Sequence, residues 1–106
     1  MTIIAIMEWS QWIEFTKFGV GSAPKTNGVY CLSVGDEVVY IGKAEGQDGI
    51  LGRLQDHLSG NEGDCTLLAS RYRYRECSDP MQEEFLLIDS HVEEHGRKPK
   101  CNDSGG

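Results

Sequence analysis

Two tyrosines in this chain sit beside glycines: Gly28-Val29-Tyr30 and, ten residues after Tyr30, Tyr40-Ile41-Gly42-Lys43. A phenol titrates near pH ~10, so it works on protons at neutral pH only where nearby positive charge pulls its pKa down. Downstream, Arg53 and His57 stand four apart, a spacing that places two side chains together on a helical edge. Arginine offers a planar, permanently charged fork that fits phosphate oxygens, and histidine is the ordinary proton carrier near neutrality. Arg71, Arg73 and Arg75 alternate with Tyr72 and Tyr74. In a strand this puts three guanidinium groups on one face, about 6.6 Å apart, close to the phosphate repeat of a nucleic-acid strand. A solvated arginine face guarding an edge strand is the other reading of that pattern. His91, His95 and Cys101 form an H-x3-H plus cysteine set, a rival zinc reading, but no paired cysteine knuckle accompanies it.

Local structure must place these groups. Residues 28–34 and 38–43 alternate as a hairpin around Gly35-Asp36. A two-residue turn pairs Val34 with Glu37 and sends the tyrosines to opposite faces. A three-residue turn, or an equivalent bulge, pairs Leu32 with Tyr40, puts both tyrosines on one face and frees Glu37 to the loop; this is the expectation. Ile50, Leu51, Leu54 and Leu58 make a helical stripe ended by Gly60, with Arg53 and His57 at its edge. Residues 67–76 read as a third strand. Asp79-Pro80 opens a last helix with Gln82 at the capping-box position, a stripe of Met81, Phe85, Ile88 and Val92, and a stop at Gly96. On that helix Glu83 points to solvent, whereas Glu84 lies at the stripe's edge. Near the start, Trp9, Trp12, Ile13 and Phe18 recur at helical spacing after Ser10, which predicts a short helix whose tryptophans seal the core. Residues 19–27 are a connecting loop, and 99–102 an extended piece that returns to the sheet or its edge.

The order helix, strand, strand, helix, strand, helix gives one small α/β domain of the α+β kind, a three-stranded antiparallel sheet flanked by helices over residues 1–102, with 103–106 as a disordered tail. With 10 Lys plus Arg against 17 Asp plus Glu, the net charge of -7 argues against a general nucleic-acid binder, so positive charge must be local. Cys31, Cys65, Cys77 and Cys101 lie far apart without a C-x-x-C pair, which predicts free thiols in a reducing, cytoplasmic setting. The apolar opening Ile3 to Met7 has no basic leader and is far short of the ~20 residues that span a bilayer, so no membrane partner is expected.

Taken in order, Gly28-Val29-Tyr30, Tyr40-Ile41-Gly42-Lys43, Arg53 with His57, a glutamate in the last long helix and Pro99-Lys100-Cys101-Asn102 resemble the GIY-YIG nuclease superfamily, over about residues 28–102. Each tripeptide alone is a weak signal; the ordered set is a strong one. The resemblance implies hydrolysis of DNA phosphodiester bonds with one Mg2+ or Mn2+ held by a single glutamate and water as the nucleophile. Both tyrosines would reach the active site, with Tyr40 as general base. Arg53 would face the phosphate, and Asn102 would orient groups through its side-chain hydrogen bonds. His57 would be a second proton carrier or only a neighbour of Arg53. Glu84 is the expected metal ligand and Asp89 the substitute if the helix register differs. Gly42 and Lys43 would lie at the phosphate, with Gly28 and Gly42 leaving room for its approach, and Arg71, Arg73 and Arg75 would form a positive track for the DNA backbone. Such nucleases often gain specificity from an attached domain. None fits in this length, so weak, salt-sensitive binding is expected unless a protein partner supplies the rest.

Overall fold

The computed structural model describes residues 8–102; the apolar opening and the polar tail fall outside the described residues. Four strands, β1 (Ile13–Glu14), β2 (Gly28–Val34), β3 (Glu37–Ala44) and β4 (Arg71–Glu76), form an antiparallel sheet in the order β1-β4-β2-β3. Three α-helices accompany them among the described residues: α1 (Lys17–Val20), α2 (Gly49–Leu58) and α3 (Pro80–His95), with a 3-10 turn over Cys65–Leu68. The fold is α+β, as the sequence indicated, but the sheet has four strands rather than three.

The extra strand comes from the segment expected to be helical. β4 would otherwise present an open edge, and the chain around Ser10 to Phe15 fills it. Ser10 N–H donates to Tyr74 O at 2.8 Å, Ile13 pairs with Tyr72, and Phe15 N–H donates to Ser70 O at 3.0 Å. Ladder bonds to β4 outweigh the helical spacing of a few aromatics. The tryptophans therefore do not enter the core, and Phe18, on the short α1, is almost fully exposed.

The hairpin resolves the register by a route between the two considered. The turn holds only Gly35 and Asp36, so Val34 pairs with Glu37, which is not freed to the loop. A bulge then absorbs Val39, since Ser33 pairs with Val38 while Leu32 pairs with Tyr40. One extra residue flips the side-chain parity of everything beyond it. Tyr30, opposite Gly42, and Tyr40, opposite Leu32, consequently share a face.

On that face α2 buries Ile50, Leu54 and His57 against Tyr30, Leu32 and Tyr72, and this is the main core. α3 lies against β3 and β2. Asp79 caps it, accepting from Gln82 N–H at 3.3 Å, and Gly96 ends it with a left-handed φ of 78°. Its packed face is not the expected stripe: Met81 and Phe85 are 62% and 64% exposed, while Glu83, Glu84, Leu87, Ile88, His91 and Val92 are partly buried. Polar anchoring turns the helix this way. Glu83 takes Arg75 at 2.7 Å instead of facing solvent, and Glu84 turns to the cleft beside Tyr40 and Lys43.

β3 is the outer strand of the sheet, and the C-terminal turn docks on its outer side: Cys101 N–H donates to Val39 O at 2.7 Å, and Asn102 accepts from Ile41 N–H and donates to Ile41 O, both at 2.9 Å. Residues 99–102 thus reach the sheet edge as a turn, not as an extended strand. Cys101 is joined to Cys65 in a disulfide, with Cys31 and Cys77 free. This corrects the expectation of four free thiols, and with it the reason given for a reducing compartment. No helix among the described residues is long and apolar enough to cross a membrane.

Candidate active site

Tyr30 lies at the centre of a hydrogen-bonded chain. Its ring is fully buried over Gly42, where an added Cβ would stand 2.5 Å from both Cζ and Oη of Tyr30. The glycine therefore admits a phenol; it does not keep space for phosphate. Gly28 likewise makes room for the Arg75 carbonyl and the Ile50 side chain. The Tyr30 hydroxyl lies 2.8 Å from His57 Nε2, and His57 Nδ1 lies 2.9 Å from Thr66 Oγ1. The two ring nitrogens of His57 thus link the Tyr30 and Thr66 hydroxyls, one to each.

Burial first, and then the Arg53 charge, push the His57 pKa down to about 4. The ring is 1% exposed and neutral at physiological pH. It holds the Tyr30 hydroxyl from inside the core, away from solvent.

Tyr40 stands beside this chain. Its ring centroid is 6.1 Å from that of Tyr30 and 4.9 Å from that of His57, so the three rings pack together. Burial raises the Tyr40 pKa; Arg53 opposes it, while Glu84 and Glu62 add to the rise. Tyr30 is raised further, again by burial first. Both phenols are thus protonated at neutral pH in the ligand-free protein, the reverse of the lowered pKa that a general base requires.

Tyr40, Lys43, Glu45, Arg53 and Glu84 line one cleft of about 340 Å³. α2 supplies Arg53, β3 supplies Tyr40 and Lys43, and α3 supplies Glu84. Arg53 is half-buried and already paired, bonding Glu62 closely and approaching Asp56 at 3.7 Å. Lys43 pairs with Glu45 at 2.7 Å. Burial raises the Glu84 pKa against the pull of Lys43 and Arg53. Asp89 is exposed and does not line the cleft. Asn102 lies behind β3, gripping Ile41 next to Tyr40, so its side chain positions the strand through hydrogen bonds.

A divalent cation fits this cleft on donor chemistry. The Glu84 carboxylate, with Glu45 in the same open cleft, suits a hard cation that keeps most of its hydration shell. It does not suit zinc. Among the described residues no group of three or more His, Cys, Asp or Glu converges, Cys101 is held by Cys65, and His91 and His95 stack on each other with ring centroids 4.3 Å apart.

Arg71, Arg73 and Arg75 are not brought to the site. The register that sets Tyr30 opposite Tyr74 sets Cys31 opposite Arg73, which places the three arginines on the other face of the sheet. There they make a ladder with the tryptophans: Arg71 over Trp12 at 5.3 Å, Arg73 over Trp9 and Trp12 at 4.5 and 4.8 Å, and Arg75 over Trp9 at 4.8 Å. β4 is an inner strand, flanked by β1, so the edge-guarding reading fails as well. A groove of about 380 Å³ opens on this face, with Cys31, Ile41 and Arg73 among its walls, and none of the five residues that line the cleft borders it.

Sequence reasoning missed Thr66, Glu62 and the disulfide. Thr66 and Glu62 each lie nine residues from their partner across a turn, a separation that carries no periodic signal.

The chain belongs to a family described as Domain of unknown function (DUF7508), whose model matches residues 7–94. No curated protein and no solved structure matches the chain. The family match carries no link to the GIY-YIG nucleases, so that resemblance rests on this chain's own residues.

Proposed function

We propose that this chain is a GIY-YIG-like endonuclease that hydrolyses DNA phosphodiester bonds in a reaction dependent on Mg2+ or Mn2+. The observation that carries the reading is the convergence of Tyr40, Arg53 and Glu84 on one cleft, with Tyr30 hydrogen-bonded behind them. These residues come from three elements far apart in sequence, and packing a core alone gives no reason for an arginine, a lysine and two glutamates to meet there.

In this reading Arg53 donates to non-bridging phosphate oxygens, where negative charge gathers as water forms its bond to phosphorus and the leaving oxygen departs. Glu84 holds the cation, with Glu45 within the same cleft. The bound cation supplies Lewis acidity at the phosphate and positive charge beside Tyr40. The buried chain of Tyr30, His57 and Thr66 sets the ring against which Tyr40 packs, and with positive charge added beside it Tyr40 would lose its own proton to solvent and, as the phenolate, accept the proton of the attacking water. Lys43 adds a contact to the DNA backbone. The far-face arginines take no part, and with few free cations near the cleft, binding is weak and salt-sensitive unless a protein partner adds surface.

A second reading is a catalytically silent module that binds nucleic acid or protein. It is favoured by one observation: Arg53 already has Glu62 and Asp56 as partners. A plasmid-nicking assay with Mg2+, Mn2+ or chelator separates the two. Metal-dependent nicking that disappears in Arg53→Ala and Glu84→Ala supports the enzyme. Absence of nicking in the wild type, or equal nicking in both variants, removes it.

A further inference from the structure

Two residues next to the site's supports are joined covalently. Cys65 opens the 3-10 turn, and the residue after it, Thr66, holds His57 and through it Tyr30. Cys101 lies in the C-terminal turn, where its own N–H holds Val39 O and the following Asn102 grips Ile41 on both backbone groups. Val39 and Ile41 are the residues on either side of Tyr40. The disulfide, spanning 36 residues of sequence, therefore connects the segment that fixes Tyr30 to the segment that fixes Tyr40.

We propose that the Cys65–Cys101 disulfide sets the relative position of the two phenols, and that a dithiol which reduces it loosens the candidate active site while the sheet stays folded. The use made of the phenols rests on the nuclease reading; the positional effect does not.

The chemistry is thiol–disulfide exchange. A thiolate of the dithiol attacks the sulfur of Cys65, the less buried of the pair, forming a mixed disulfide and releasing the Cys101 thiolate, which takes a proton. The second thiol then displaces Cys65. Two electrons and two protons pass to the protein, and the dithiol leaves as its own disulfide. Cys31 lies under the other face of the sheet and Cys77 at the far end of β4, so neither is placed to re-pair with these sulfurs.

The sheet has reasons to survive. Its core, from β2, β4 and α2, is closed by Tyr30, Leu32, Ile50, Leu54 and Tyr72, whereas the C-terminal turn meets the sheet at its edge, through the Cys101 and Asn102 bonds and the burial of Pro99 and Cys101. Local opening then falls on the segment with the fewest remaining ties.

The test compares the oxidised wild type, the wild type in dithiothreitol and the double variant Cys65→Ser/Cys101→Ser. Amide exchange is followed by NMR, along with the His57 ring nitrogens and plasmid nicking. The expected result is unchanged protection in β2 and β4, at least about tenfold faster exchange at Ile41 in both disulfide-free forms, and shifted or broadened His57 ring signals. Reoxidation restores the wild type and leaves the double variant as it was. Nicking falls about tenfold in parallel. If exchange and ring signals respond but no form nicks, the positional proposal stands and the nuclease reading falls. Unchanged Ile41 exchange and ring signals on reduction overturn the proposal, and so does complete unfolding, because the sheet has to outlast the bond.

Discussion

The Tyr30 hydroxyl and His57 Nε2 meet at 2.8 Å inside the core, and this contact joins the packing of the domain to its candidate chemistry. α2 turns His57 inward with Ile50 and Leu54, and β2 brings Tyr30 up beneath it. A neutral imidazole suits that place, because a buried cation beside Arg53 would be poorly solvated and repelled.

Stability should therefore fall with acid. The His57 pKa is about 4 in the folded chain against about 6.5 when unfolded, so the unfolded state binds the proton first. The stabilising effect is complete above pH ~6.5 and diminishes as pH drops towards ~4, where His57 protonates in the fold as well, a loss of roughly 3 kcal/mol at most. Urea unfolding at several pH values measures it. His57→Gln should flatten that part of the profile; the same slope in the variant would assign the effect elsewhere.

Gly42→Ala should cost about 2 kcal/mol, because the new methyl meets the Tyr30 ring at 2.5 Å and Tyr40 Cε2 at 2.7 Å. Near-UV circular dichroism should show both phenols displaced, with denaturant midpoints giving the loss. Wild-type stability in this variant would mean that Tyr30 does not lie over Gly42.

Glu62→Gln removes the charge that holds Arg53 in the ligand-free protein. The pair is partly exposed, so stability should change by no more than about 1 kcal/mol. A DNA phosphorothioate should bind about threefold or more tightly if the guanidinium is a phosphate contact that Glu62 competes for. Unchanged binding, read by fluorescence anisotropy, would leave Glu62 as a packing partner only.

Arg73→Met should lower stability by about 1–2 kcal/mol through lost stacking on Trp9 and Trp12. DNA affinity should stay within about a factor of two, because this face is turned away from the cleft. A large drop in affinity would restore the positive track that the sequence suggested.

Local sequence signals placed much of this. The turn pair Gly35-Asp36, the Asp79-Pro80 helix start and the Gly96 stop are short-range, and each element formed where it was expected. Tyr30 and Tyr40 share a face as expected, but through a bulge at Val39 rather than a longer turn, since a bulge has no residue signature of its own. The alternation of Arg71 with Tyr72 gave a strand correctly but not the face it presents to the site, because alternation separates two faces without saying which one meets the cleft. Helical spacing from Trp9 to Phe18 misled for a different reason: the open flank of β4 is a property of the assembled sheet and cannot be seen in a local window. Met81 and Phe85 misled similarly, since Glu83 and Glu84, turned to partners distant in sequence, set the roll of α3.

The way the outer strand is covered bears on how this molecule can meet its own kind. On β3, Cys101 occupies the Val39 carbonyl and Asn102 both backbone groups of Ile41, and on the opposite flank β1 offers only two residues. Among the described residues neither flank is a long bare ribbon on which a neighbouring molecule could template more sheet. Self-association through these described flanks would then have to run through side chains, with growth by strand stacking hindered so long as Cys101 and Asn102 stay docked on β3.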